Sequence, residues 1–302
     1  MRKIDMEQFL WLIVLAVVAS ATALFVDETV FAFNGWKLQH RTNYAFWMGT
    51  SLIMACSAQA CIQFISPLAQ GSGIPQMKAI MAGVNLPNML SFRTYVSKVL
   101  GMVCMLSTGM SLGKEGPFVH IAGCLANSLP YKDLRTNKTL MHQFLTAAVA
   151  VGVTCTFGAP IGGVLFSIEV STSSFTVSNL WKSFFASTIT VLCFKSVGLL
   201  ASAAVFSADA SYFYSGVAPV GINHEQPFFV GLGICCGCLG TVYIALQRKI
   251  NLWKKANMKY WFFKNNWCYT LTMTFCLSNI IFFTRMMQTG DKAIIRSMID
   301  ID

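Results

Sequence analysis

The chain has 302 residues, of which 55% are hydrophobic and 11% charged, and a mean hydropathy of +0.58, too apolar to clothe a water-soluble domain of this size. The formal net charge is +10, but the Lys and Arg residues fall between apolar runs and form no single patch, so attraction to anionic lipid headgroups accounts for them and no nucleic-acid partner is expected. No ten-residue alternation of apolar and polar residues marks a β-barrel, which leaves helices as the spanning elements of an all-α, polytopic membrane protein.

In chain order, the apolar runs predict a first helix over residues 9–26, behind Arg2 and Lys3, which place the N-terminus inside; an outer loop with Asp27 and Glu28 follows. A long helix over 44–67 breaks at 70–75 and resumes as a short helix at 76–81. A span over 91–111 runs into a second break at 113–117, then a short helix over 118–129 and a basic loop with Lys132, Arg135 and Lys138. Residues 141–157 and 160–170 form a helical hairpin around Gly158-Ala159-Pro160, with Gly162 and Gly163 allowing close backbone contact. Residues 179–200 cross again. The stretch from Asp209 to Glu225 carries acids but no Lys or Arg and is placed outside. A long helix over 226–255 leads to Arg248, Lys249, Lys254, Lys255, Lys259 and Lys264, placed in the cytosol, and residues 265–284 form a last span.

Most of the 11 cysteines, including Cys56, Cys61, Cys104, Cys155 and Cys276, lie within apolar runs and read as small packing residues. Cys235-Cys236-Gly237-Cys238 contains a C-x-x-C but lacks a second ligand cluster, and the histidines His40, His120, His142 and His224 show no ligand spacing, so no metal or cofactor is expected. Gly109 to Glu115 has one residue too few between its glycines for a phosphate-binding loop, and Glu stands where Ser or Thr would hold magnesium. With no hydrolase triad or paired carboxylates either, no enzyme is read. Asn137-Lys138-Thr139 is a glycosylation sequon in a loop assigned to the cytosol, where it stays unused.

Chemistry concentrates at the two breaks, Gly71-Ser72-Gly73-Ile74-Pro75 and Gly113-Lys114-Glu115-Gly116-Pro117. Each sets a turn-forming glycine pair just ahead of a proline, and proline suits a helix start because its missing N–H would be unpaired there anyway. A helix start inside a membrane exposes N–H donors and the positive end of the dipole, which together make a site for a small anion. Ser72 is the natural hydroxyl donor, with Ile74 adding an amide and an apolar wall. Lys114 adds positive potential. Glu115 is a carboxylate deep in an apolar stretch, costly unless paired or wetted. At a helix start it can take the place of an anion and step aside when protonated. The plainer alternatives are N-capping roles for Ser72 and Glu115.

These two segments, with Gly158-Ala159-Pro160 and Gly163-Val164-Leu165-Phe166-Ser167-Ile168-Glu169 downstream, resemble the anion-binding motifs of the CLC family of chloride channels and chloride–proton exchangers. The resemblance implies that Ser72 helps hold chloride, that Glu115 is the gating glutamate, and that Gly73, Ile74, Gly113, Lys114, Gly116, Pro117 and Phe118 line the site. Exchangers of the family carry a proton-transfer glutamate where this chain has Val170, so the resemblance favours the passive channel branch; an exchanger working through Glu169, or a non-conducting partial subunit, are the alternatives. It further implies a homodimer in a plasma or intracellular membrane. Residues 1–200 resemble the first of the family's inverted repeats, 201–224 an external loop, and 225–302 the opening of the second repeat. The late chloride-holding tyrosine and the cytosolic CBS domains of many members have no counterpart, and Gln76 stands where the family usually has Glu.

Overall fold

The computed structural model describes residues 2–131, 136–170, 177–201, 226–257, 259, 265–284 and 288. Lys132 and Arg135 of the basic loop, the acidic segment 209–225, and Lys264 lie outside the described residues. Among the described residues there are ten α-helices: α1 (Arg2–Gln39), α2 (Tyr44–Ala60), α3 (Ile74–Met81), α4 (Phe92–Leu106), α5 (Glu115–Ser128), α6 (Lys138–Phe157), α7 (Pro160–Val170), α8 (Val177–Ala201), α9 (Gln226–Ala256) and α10 (Asn266–Phe283). Among the same residues, four segments are long and apolar enough to cross a bilayer: Met6–Gln39, Tyr44–Ile65, Lys138–Phe157 and Pro227–Ala256.

The first helix is much longer than residues 9–26. It continues through Asp27 and Glu28, so these acids sit in the helix and not in an outer loop. No glycine or proline interrupts residues 26–34, and Asp27 is paired with Lys114, which removes the reason for the helix to stop at a charge. At 38 residues α1 is about 57 Å long, well beyond the ~30 Å hydrocarbon layer. Both short helices also begin earlier than predicted, at Ile74 and Glu115, so each proline lies inside the first turn. The sequon asparagine is a cap: Asn137 Oδ1 accepts from the amides of Thr139 and Leu140 at 3.0 and 3.2 Å.

The chain divides into two compact units, Met1–Phe206 with Met273–Asp302, and Ser207–Thr272. In the second, α9 ends in Lys254 and Lys255, and the Lys254 ammonium lies 3.6 Å from the centre of the Tyr269 ring. In the first, α6 is the central post, packed on α5, α7, α8 and α1. Phe144, Ala147, Ala148, Val149, Ala150 and Val151 of α6 are wholly buried. Small residues let neighbouring backbones close in, as expected where lipid supplies no hydrophobic drive between helices. A β-carbon on Gly152 would lie 2.7 Å from Val119 Cα and 2.9 Å from the Phe118 carbonyl oxygen, so α5 crosses α6 backbone to backbone. Gly163 of α7 approaches Ala150 in the same way, its β-carbon falling 2.5 Å from the Ala150 carbonyl oxygen.

α2 loosens into a π-helical turn over Cys61–Ile65, and the Ser97 hydroxyl of α4 donates to the Cys61 carbonyl at 2.9 Å. Ser91 caps α4 by accepting from the Thr94 amide at 3.3 Å. The path from α2 to α3 is thereby fixed against α4. Substituting alanine should separate the two kinds of glycine. Gly152→Ala drives a methyl into the α5 backbone and is expected to lower unfolding stability in detergent by about 1–3 kcal/mol. At Gly162 the added carbon meets only Ala159 Cβ at 3.5 Å, so Gly162→Ala is expected to leave stability unchanged or raise it by up to ~1 kcal/mol.

Candidate anion site

The two broken helices meet start to start. Ser72 lies between Gly71 and Gly73, both left-handed at φ 84° and 86°, and Gly73 is the residue ahead of α3. Gly116, in the first turn of α5, faces it: a β-carbon there would sit 2.6 Å from Ser72 Cβ and 3.1 Å from the Ser72 carbonyl oxygen. The glycines of the two motifs therefore do different work. Gly71 supplies the turn, Gly116 the closeness, and Gly73 both.

Met77 N–H donates to Gly73 O at 2.9 Å and Phe118 N–H to Lys114 O at 3.0 Å, closing the first turn of each helix. The amides ahead of them, at Ile74 and Gln76 and at Glu115 and Gly116, have no carbonyl four residues back within their helices, while Pro75 and Pro117 have no N–H to offer. Glu115 folds back toward this end. A β-carbon on Gly113 would lie 2.6 Å from Glu115 Oε2, which puts the carboxylate beside the segment just ahead of its own helix, the end where negative charge meets the dipole favourably.

The other expected residues are placed as follows. Ile74 and Pro117 are half-buried and Gly113 is exposed. The Phe118 ring is buried at the back, and its N–H is spent within α5. Lys114 turns to α1, where its ammonium meets both Asp27 oxygens at 2.7 and 2.8 Å. Val170 is the last residue of α7, and Glu169 beside it is exposed.

Sequence reasoning passed over two lysines. Lys98 of α4 is buried and donates to the carbonyls of Ala69 at 3.1 Å and Gly71 at 2.7 Å, holding the segment that delivers Ser72. Neither bond neutralises the ammonium, so a positive charge stands one peptide from the serine. Lys37, in the last turn of α1, donates to Ser51 Oγ at 2.7 Å and Thr108 O at 2.6 Å, with the centre of the Trp47 ring 4.1 Å away. It anchors the turn that leads to the second motif. The signal for both was a single cation in or beside an apolar run, the mark of a functional or structural charge.

Adjoining starts of broken helices, in a bundle with membrane-length apolar segments, define a polytopic helical membrane protein of the channel and transporter kind. The chain belongs to the voltage-gated chloride channel family, whose family model matches residues 50–300. It is similar to chloride channel protein clh-3 of Caenorhabditis elegans, 38% identical over 233 residues, which cover 72% of this chain and 23% of that protein. Chloride channel protein 2 of Homo sapiens is 34% identical over 264 residues, 81% of this chain and 29% of that one. The chain thus spans under a third of the length of these relatives. The crystal structure of a eukaryotic CLC transporter matches 93% of the chain with a TM-score of 0.77 and 26% identity, the match covering 50% of that structure. A slow cyanobacterial chloride–proton antiporter shares the fold at a TM-score of 0.71 and 20% identity over 91% of this chain and 62% of that one.

The Lys114–Asp27 pair makes its own test, because its side chains are only 16% and 10% exposed. Asp27→Asn takes both bonds and the opposite charge from a largely buried ammonium, and is expected to cost up to about 3–5 kcal/mol. Adding Lys114→Met should recover much of that loss, and a double-mutant cycle on unfolding midpoints in detergent measures the coupling.

Proposed function

We propose that this chain supplies a chloride-conducting pathway across a membrane, with the anion held between the starts of α3 and α5 and gated by Glu115. The observation that carries the reading is the contact of Ser72 with Gly116, which brings one helix start, one hydroxyl and a second helix start to one place, with the Glu115 carboxylate turned toward Gly113 just ahead of α5. Deprotonated, that carboxylate competes with chloride for the same dipole ends. Protonated, it loses the attraction and yields the place. Ser72 then donates its hydroxyl to the anion, and Lys98 raises the local anion concentration without touching it.

Val170 supports passive conduction, because a valine cannot relay a proton where exchangers of the family resemble one another in carrying glutamate. Two copies pair as a homodimer, as the family resemblance implies. In proteoliposomes the chain should release chloride with no coupled proton movement, faster at acid pH. Glu115→Gln is expected to hold efflux at the acid plateau of the native protein at every pH. Stoichiometric proton uptake would replace the channel reading with an exchanger, and pH-dependent efflux persisting in Glu115→Gln would remove Glu115 from the gate.

A further inference from the structure

One face of α5 carries Gly116, His120, Gly123 and Asn127, spaced four, three and four residues apart and hence aligned along the helix. Every one of them meets α3 or the segments that flank it. Gly116 meets Ser72, and a β-carbon on Gly123 would lie 2.7 Å from both Met77 Sδ and Cε. Asn127 Nδ2 donates to the Leu90 carbonyl at 2.8 Å. His120 lies between them, wholly buried. A β-carbon on Gly73, the residue that opens α3, would fall 2.5 Å from His120 Cβ and 2.7 Å from both Cγ and Nδ1. On its far side, Nε2 lies 3.1 Å from the Met89 carbonyl oxygen.

A carbonyl only accepts, so Nε2 carries the proton and, in the neutral ring, Nδ1 is a bare acceptor. That Nδ1 is buried without a hydrogen-bond partner. Leucine would fill similar space with no stranded polar atom, and burying one is unfavourable. What histidine offers in exchange is a rigid ring tied at one end to Met89 and resting at the other on Gly73.

We propose that His120 is a positioning residue for the anion site. Bridging Met89 and Gly73, it sets the start of α3 relative to that of α5, and so the placing of Ser72 against Gly116 that governs discrimination among small anions. This rests on the anion site argued above but not on conduction through it.

The test is the ratio of chloride to nitrate affinity, measured by isothermal titration calorimetry on the purified chain in detergent beside its thermal midpoint. Glutamine places an amide nitrogen where Nε2 lies, asparagine is too short to reach Met89, and leucine keeps only the bulk. His120→Gln is expected to keep the native ratio, while His120→Asn and His120→Leu shift it by about three- to tenfold, the range of one lost hydrogen bond. Native ratios in all three variants overturn the proposal, as does a lowered midpoint with the ratio unchanged. So does an equal shift in His120→Gln and His120→Asn, since the Met89 bond would then not be what matters. Should the asparagine and leucine variants fail to fold, a native ratio in His120→Gln supports the bridge and a shifted one overturns it. Discrimination lost in His120→Asn in a chain that passes no chloride in liposomes supports His120 and overturns only the channel.

Discussion

The approach of Ser72 to Gly116 is the constraint on which the rest of the structure turns. Two helix starts of about +0.5 charge each repel when brought together, by under about 1 kcal/mol at an effective dielectric constant of about 20. Lys98 adds a full charge one peptide from the serine. Holding these together without a counter-charge is unfavourable, so the arrangement favours negative charge at the helix starts, which is the physical basis of the proposed anion site. The surroundings are shaped to keep the two starts from parting. Gly152 lets α6 press on the back of α5, Lys98 grips the carbonyls ahead of Ser72, and the 116–127 face of α5 locks along α3 and its following loop.

Lys37, Lys98 and Lys114 show three ways of keeping a cation in an apolar bundle. Lys114 is paired with a carboxylate, Lys98 is bonded to two carbonyls, and Lys37 is held by a carbonyl, a hydroxyl and an indole face. Only the first cancels the charge. Asp27 turns Lys114 into a local dipole, so the positive field at the helix starts comes chiefly from Lys98 and the backbone. Lys114 is next to Glu115 in sequence, yet the cation that bears most on Ser72 belongs to α4.

The spans, the two breaks and the order of the helices were legible because they rest on local rules: apolar run length, proline in a first turn, glycine where φ turns positive. Glu115 drew notice for a similar reason, a charge standing where charge is expensive, and the structure places it in the first turn of α5. What escaped was set by partners distant in sequence. Asp27 looked like the end of a helix until Lys114, 87 residues on, accounted for it. Gly116 looked like a turn residue, but its role is visible only when Ser72 is brought against it. His120 looked like a stray histidine, because nothing in its neighbourhood along the chain announces Gly73 or Met89. Asn137 carried a sequon pattern and a capping pattern at once, and only the folded backbone shows the second in use.

The same packing bears on how a gate here can work. α5 begins at Glu115, and its next turn is pinned on two sides, by Gly152 and by the face that meets α3. Moving the helix start would break contacts made backbone to backbone, which close-packed interiors resist. The carboxylate reaches the site through side-chain bonds alone. It already lies back over Gly113, which is exposed, and rotation about its own side-chain bonds is enough to take it off the helix start. A gate built this way opens by exchanging one negative group for another at fixed donors, so the site keeps its shape whether the carboxylate or an anion occupies it. The proposed site thus has two separable parts: a frame of backbone packing that fixes Ser72 against α5, and the single side chain of Glu115.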